Sequence, residues 1–208
     1  MDVVRESIFA GELRPGERIV EGKLASELGV GISAVREGLQ KLEHAGLVVR
    51  YPNRGTYITQ LTETEVQQMY RLRAELEAFS AKLALLKRPD PAEVGQLQVY
   101  ADQMKLAAQQ HDYAKYFECD ITFHGQLCRI AGDPFLEKCL SSLTVPLIGF
   151  VLIRLKQDPM LSDFAHLAEQ HQKIVDAFGL SDPEEAAEAV RKIILGFGQR
   201  ISGKLHLS

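Results

Sequence analysis

Along most of this chain apolar residues recur every three or four positions, the spacing of helices that bury one face. From Glu21 the pattern predicts a helix, a turn and a second helix. Leu24 and Leu28 share a face, Gly29 supplies the sharp turn, and Val35, Leu39 and Leu42 form the buried stripe of the second helix, which ends at Gly46. Ser33, Arg36 and Gln40 are left facing outward. Val48 to Tyr51 and Thr56 to Ile58 then have strand composition, and Pro52-Asn53-Arg54-Gly55 between them is turn chemistry with a cation at its tip. Ahead of this stretch, Val3, Val4, Ile8 and Phe9 predict a short helix that stops at Gly11, and Arg14-Pro15-Gly16 a turn.

The helical spacing resumes at Thr62-Glu63-Thr64-Glu65, a capping box that opens a long helix. Leu72, Leu76, Phe79, Leu83 and Leu86 form a continuous seam along it, with Arg73 at the edge. Asp-Pro then occurs at Asp90-Pro91, Asp133-Pro134, Asp158-Pro159 and Asp182-Pro183. Aspartate is a good N-cap and proline suits the first helical position, so each pair is expected to open a helix. The predicted helices cover 64–87, 91–110, 112–131, 134–156, 159–179 and 183–203, with a kink at Pro146. The expected fold is mainly α. Residues 1–60 form a helix-turn-helix with a β-hairpin wing, and residues 61–208 form an all-helical bundle of six helices.

Helix, turn and exposed second helix lay a recognition helix in a DNA major groove, and the hairpin extends the contact. Charge changes that picture. Residues 1–60 carry eight Lys or Arg against eight Asp or Glu, and the whole chain has a net charge of −4, so the basic footprint of many DNA-binding domains is absent. Phosphate contacts must then come locally, from Arg36, Lys41, Arg50 and Arg54, and from dimerisation that doubles them. Pronounced salt sensitivity follows. The three cysteines, Cys119, Cys128 and Cys139, have no CxxC spacing and read as reduced structural thiols. The sequence has neither an apolar run near the roughly 20 residues of a membrane span nor a signal-type N-terminus, so a cytoplasmic location without membrane is expected.

One helix of the bundle carries more polarity than a core needs. At 100° per residue, Phe117, Asp120, Ile121, His124, Leu127, Cys128 and Ala131 fall within an arc of about 120°, with Glu118, Thr122, Gln126 and Arg129 opposite. Asp120 and His124 therefore point inward, and a buried carboxylate must meet a cation, a donor or a metal. On another helix His171 sits amid Leu167, Ile174, Val175 and Phe178, whereas His166 is turned away from that stripe. Two readings fit. Asp120, His124 and His171 hold a borderline divalent cation, or Asp120 and His124 are a buried hydrogen-bonded pair and His171 a satisfied core histidine.

LASELGV, AVREGLQKLEHAGLV and PNRGTYI resemble the winged helix-turn-helix of GntR-type bacterial transcription regulators. The resemblance implies DNA contacts by Ser33, Arg36, Asn53, Arg54 and Gly55. It breaks where the family has Ser-Arg-Thr-Pro before Val-Arg-Glu. Here Gly31, Ile32, Ser33 and Ala34 stand there, so Ile32 replaces an arginine that reads DNA, and Gly22 replaces another basic residue. An operator unlike the common ones is expected.

CDITFHGQLCRIAGDPFL and QHQKIVDAF resemble the aspartate and histidine helices of FCD, the helical effector domain in the FadR branch of that family. With the capped helix carrying Arg73 and Glu77, the resemblance covers most of residues 62–203. It implies a metal bound by one aspartate and three histidines, with a small organic acid completing the coordination. Asp120, His124 and His171 match three of those positions, and Ile193 stands at the fourth. Either three ligands hold zinc, nickel or manganese, or the pocket is apolar and takes its effector without metal. Arg73 at the pocket edge, or Arg200 one turn beyond Ile193, is then either a partner for an effector carboxylate or a solvent-facing cation. Arg129 faces outward and is excluded.

The function expected from all this is a dimeric, ligand-responsive transcription regulator that binds two-fold operator DNA. Two other classes compete with it. A metal-dependent hydrolase or lyase would use the same three residues, but the chain has neither an HExxH glutamate nor a GxSxG elbow. An architectural DNA binder would have a filled pocket and no effector.

Overall fold

A computed structural model describes residues 13–157 and 164–203. In chain order the elements are β1 (Arg18–Ile19), α1 (Glu21–Leu28), α2 (Ile32–His44), β2 (Val48–Tyr51), β3 (Gly55–Ile58), α3 (Glu63–Leu86), α4 (Pro91–Gln109), α5 (Tyr113–Ala131), α6 (Pro134–Gln157), α7 (Phe164–Ala177) and α8 (Pro183–Gly203). They form two compact units. The first runs to Thr62 and takes in α6 from Val145 onward, and the second holds Glu63–Thr144 with α7 and α8. The sequence suggested one uninterrupted boundary near residue 60, so the division of α6 is the difference.

In the first unit, α1 stops because Gly29 adopts a left-handed backbone, φ 64°, that turns the chain into α2. Val35, Leu39 and Leu42 of α2 are buried as their spacing predicts, in a core with Ile19, Ala25, Leu47, Val48 and Ile58. The wing is an antiparallel ladder with Val48 opposite Ile58 and Tyr51 opposite Gly55. Its third strand, β1, pairs Arg18 with Tyr57 and Ile19 with Thr56. Two residues are too few to leave a period in sequence, so that strand was not legible. Val145 of α6 packs onto this core, and Gly46 lies so close to Pro146 that a Cβ there would come within 2.5 Å of its ring.

The second unit holds α3, α4, α5, α7, α8 and α6 as far as Thr144, counting the described residues. Three of the four Asp-Pro pairs open helices as expected. Asp90 and Glu93 form a capping box on α4, Asp133 accepts from the Phe135 amide at 2.9 Å, and Asp182 accepts from the Glu184 amide at 2.8 Å. Asp158-Pro159 lies outside the described residues, as does the helix expected around Val3–Phe9. The helix α6 continues through Pro146. Its window Pro134–Val151, with mean hydropathy 1.3, is long and apolar enough to cross a membrane by length and composition, although the sequence reading found no such run. Leu136, Leu140, Leu147, Ile148 and Phe150 are buried in the protein, which gives that apolarity a core role.

The face that α3 buries corrects the expectation drawn from its seam. Leu72, Phe79 and Leu86 are exposed, and the buried side carries Ala74, Ala78, Ala81 and Ala84 with Arg73 and Glu77. Small residues win that face because α8 packs closely along it. A Cβ at Gly198 of α8 would come within 2.6 Å of Tyr70 Cβ. This approach brings the polar residues of α3 up against α5.

Candidate metal centre and nucleic-acid interface

Asp120 and His124, one turn apart on α5, both point inward because their neighbours on that face, Phe117, Leu127 and Cys128, are core residues. His171 comes from the buried stripe of α7, beside Ala168 and Ile174. The three side chains converge. His171 Nε2 lies 3.0 Å from Asp120 Oδ1 and 3.2 Å from His124 Nε2, and His124 Nε2 lies 3.7 Å from Asp120 Oδ1. His124 and His171 are fully buried, and Asp120 nearly so.

The outer nitrogens of both rings are already committed. His171 Nδ1 donates to the Leu167 carbonyl at 2.9 Å, so its Nε2 carries the lone pair in that tautomer. His124 Nδ1 sits 2.5 Å from Glu77 Oε2, a close charge contact whose angle is poor for a hydrogen bond. Glu77 in turn accepts from Arg73 Nε at 3.0 Å, with Arg73 stacked over the Tyr70 ring. Four charged groups thus share an interior with little water access. Burial alone would push the Asp120 carboxyl up, but the charge of His124, with both imidazoles close against it, holds it well below the usual carboxylate range. Burial works against the His124 imidazolium too, yet Glu77 and Asp120 raise it to about 9. Glu77 is held low by His124 and Arg73 against the same burial cost.

Two buried donors nearby are left over. The Tyr116 hydroxyl has no hydrogen-bond partner among the described residues, and Arg73 Nη2, 3.0 Å from Glu77, makes no aligned hydrogen bond. Tyr116 packs edge-on to His171, and Phe123 and Phe197 enclose the same ring. Arg73 is therefore no surface cation. Arg200, in contrast, is exposed. Ile193 is half-buried, and from α8 it is Phe197 that stacks on His171. Arg129 and His166 lie outside the cluster as predicted, Arg129 paired with Glu137 and His166 contacting Gln170. The residue that sequence reasoning missed is Glu77. A charge in mid-helix is solvated by default, and the signal available was its i, i+4 spacing from Arg73.

Cys119 and Cys128 are buried free thiols, which agrees with a structural role, while Cys139 is exposed. Burial pushes the Cys128 thiol up to about 12, against a hydrogen-bond contact with Ser80.

On the first unit, Ser33, Arg36, Asn53 and Arg54 are exposed, and Gly55 is half-exposed at the wing tip. Asn53 and Gly55 take positive φ, 60° and 100°, which makes the tight turn. The Tyr57 hydroxyl donates to the Arg54 carbonyl at 3.1 Å and packs edge-on to Tyr51, bracing that tip. Ile32 is exposed at the start of α2, beside Ser33.

Comparison with known proteins gives concordant matches over both units. Residues 1–58 match "Bacterial regulatory proteins, gntR family", and residues 68–196 match the FCD domain. The chain is 29% identical over 189 residues to the "Probable D-xylose utilization operon transcriptional repressor" of Paenarthrobacter nicotinovorans, spanning 91% of this chain and 81% of that protein. It is 24% identical over 181 residues to the gluconate operon transcriptional repressor of Bacillus subtilis, spanning 86% and 74%. Among solved structures, E. coli McbR/YncC superposes with a TM-score of 0.79 at 20% identity, covering 99% of this chain and 95% of that one. A GntR regulator from Rhodococcus sp. RHA1 gives 0.75 at 21%, covering 97% and 95%. At such identities the structural likeness speaks for the fold alone.

Proposed function

This chain belongs to the gntR family of bacterial regulatory proteins and carries an FCD domain, and from that membership we propose that it binds operator DNA as a homodimer and senses a small anionic metabolite through a divalent metal. The family makes it a transcription regulator and removes the competing hydrolase or lyase. The ligand set is Asp120, His124 and His171, and the effector is a carboxylate.

The observation that carries this reading is the spacing of the three ligand atoms. A tetrahedral ion with ligands at about 2.0–2.1 Å sets them about 3.3 Å apart. The separations in the cluster are 3.0, 3.2 and 3.7 Å. Both imidazoles already turn Nε2 inward, with Nδ1 against a carbonyl or a carboxylate, the usual outer support of metal-bound histidine. Ligand type suits zinc, nickel or manganese. When bound, the metal supplies coordination positions that three protein ligands leave open.

Charge favours an anion there. Without metal, Asp120 and Glu77 balance Arg73 and a protonated His124. A divalent ion that displaces the His124 proton leaves the cluster one positive charge in excess, and a carboxylate restores neutrality. Tyr116 and Arg73 hold the buried donors able to meet it. Effector binding then biases helices that carry Asp120, His171 and Arg73, and operator affinity changes by the effector's differential affinity for two states of the dimer. The exposed stripe Leu72, Phe79 and Leu86, with the half-buried Leu76 and Leu83, repeats every seven residues and supports pairing with a second copy. Ser33, Arg36, Asn53, Arg54 and Gly55 are the DNA contacts of this reading, and the cytoplasm is its location.

Ile193 favours a second reading, a pocket that takes its effector without metal. Elemental analysis of untagged protein beside His124→Ala separates the two. One metal per chain that the variant loses is the expected result, whereas metal-free protein in both moves the search to less chelating ligands. Operator affinity that stays constant across effectors bound by the bundle would leave an architectural binder.

A further inference from the structure

The recognition surface holds an ion pair that the proposed function leaves unused. Arg36 Nε donates to Glu21 Oε2 at 2.7 Å across 15 positions of sequence. The carboxylate is the better buried partner, its side chain 29% exposed against 65% for Arg36. Glu21 opens α1, where the helix dipole favours a negative charge whether or not the arginine is present. Across the same cleft, Arg50 of the wing lies 3.8 Å from Glu43 of α2. These pairs set carboxylates against two of the cations expected to meet phosphate.

We propose that Glu21 is a positioning residue that holds Arg36 for base edges and withholds it from phosphate, so that it sets sequence discrimination in DNA binding. The proposal rests on the reading of this unit as a DNA binder. The guanidinium has five N–H donors in a fixed fork, and engaging Nε leaves others free to read acceptors on a base. To a phosphate, however, the pair presents almost no net charge. Glu21 thus subtracts from sequence-independent attraction more than from base readout, because only the former scales with charge.

The test enriches a duplex with full-length wild-type protein from a random-sequence library. Affinity for that duplex and for a scrambled one is then measured across a salt series, for wild type, Glu21→Gln and Glu37→Gln. Glu37 pairs with Lys41 on the same helix and gives the same charge change away from Arg36. Glu21→Gln is expected to bind the scrambled duplex several-fold tighter, to steepen the salt dependence by about one phosphate contact per protomer, and to lower the ratio of selected to scrambled affinity. Glu37→Gln is expected to keep that ratio. An unchanged ratio in Glu21→Gln, or an equal fall in both variants, overturns the proposal. A wild-type protein that enriches no sequence overturns the DNA-binding reading beneath it.

Discussion

Glu77 is the residue on which the buried cluster turns. It neutralises Arg73 and faces the outer nitrogen of His124, so one carboxylate serves packing and ligand orientation together. Glu77→Ala leaves a buried guanidinium without its partner, and a loss of about 3–5 kcal/mol in denaturant unfolding is expected. Glu77→Gln keeps the volume but removes the charge behind His124, and chelator competition should register a fall in metal affinity of about 10–100-fold. In chelator-treated protein His124 is raised to about 9 from 6.5. Its stabilising share is fully present below about pH 6.5 and is lost as pH rises through about 9, while that of the depressed Asp120 is lost only on strong acidification. Unfolding of that protein should therefore need less denaturant near pH 10 than near pH 6, and His124→Gln should flatten the difference.

At the scale of elements, α3 explains how a correctly placed helix came with the wrong face inward. Its large apolar residues mark a seam in the sequence, but their size does not decide which face is buried. A face of alanines admits α8 to close range instead, and Leu72, Phe79 and Leu86 stay outside. Gly198→Ala puts a methyl group where Tyr70 already stands and is expected to cost about 1–3 kcal/mol in thermal or chemical unfolding. Leu72→Glu with Phe79→Glu, both on the exposed side, should leave the fold intact by circular dichroism. The same double variant should convert the proposed dimer to monomer in sedimentation. Elsewhere local chemistry was a good guide. The Asp-Pro caps, the Gly29 turn and the Val35, Leu39 and Leu42 stripe each depend on neighbours within one turn, so the sequence could carry them.

At the scale of the whole chain, near-neutral charge in the first unit and a charged cluster in the second make DNA affinity a matter of a few local pairs. Addition of metal with a chelating carboxylate should shift operator affinity by roughly 5–150-fold, the usual range of coupling between sites, as read by fluorescence anisotropy.

The sequence by itself determined what repeats or acts locally. That comprises a helix-turn-helix with its wing followed by a run of helices, most of the helix boundaries among the described residues, the inward turn of Asp120, His124 and His171, and the family whose motifs they carry. Tertiary structure decided the rest. It gave α6 partly to the winged unit, added β1 to the wing, buried Arg73, exposed Arg200, brought Glu77 to His124 and joined Glu21 to Arg36. Each of those outcomes depends on a partner far along the chain, and periodicity reports only which face a residue shares, not what that face will meet.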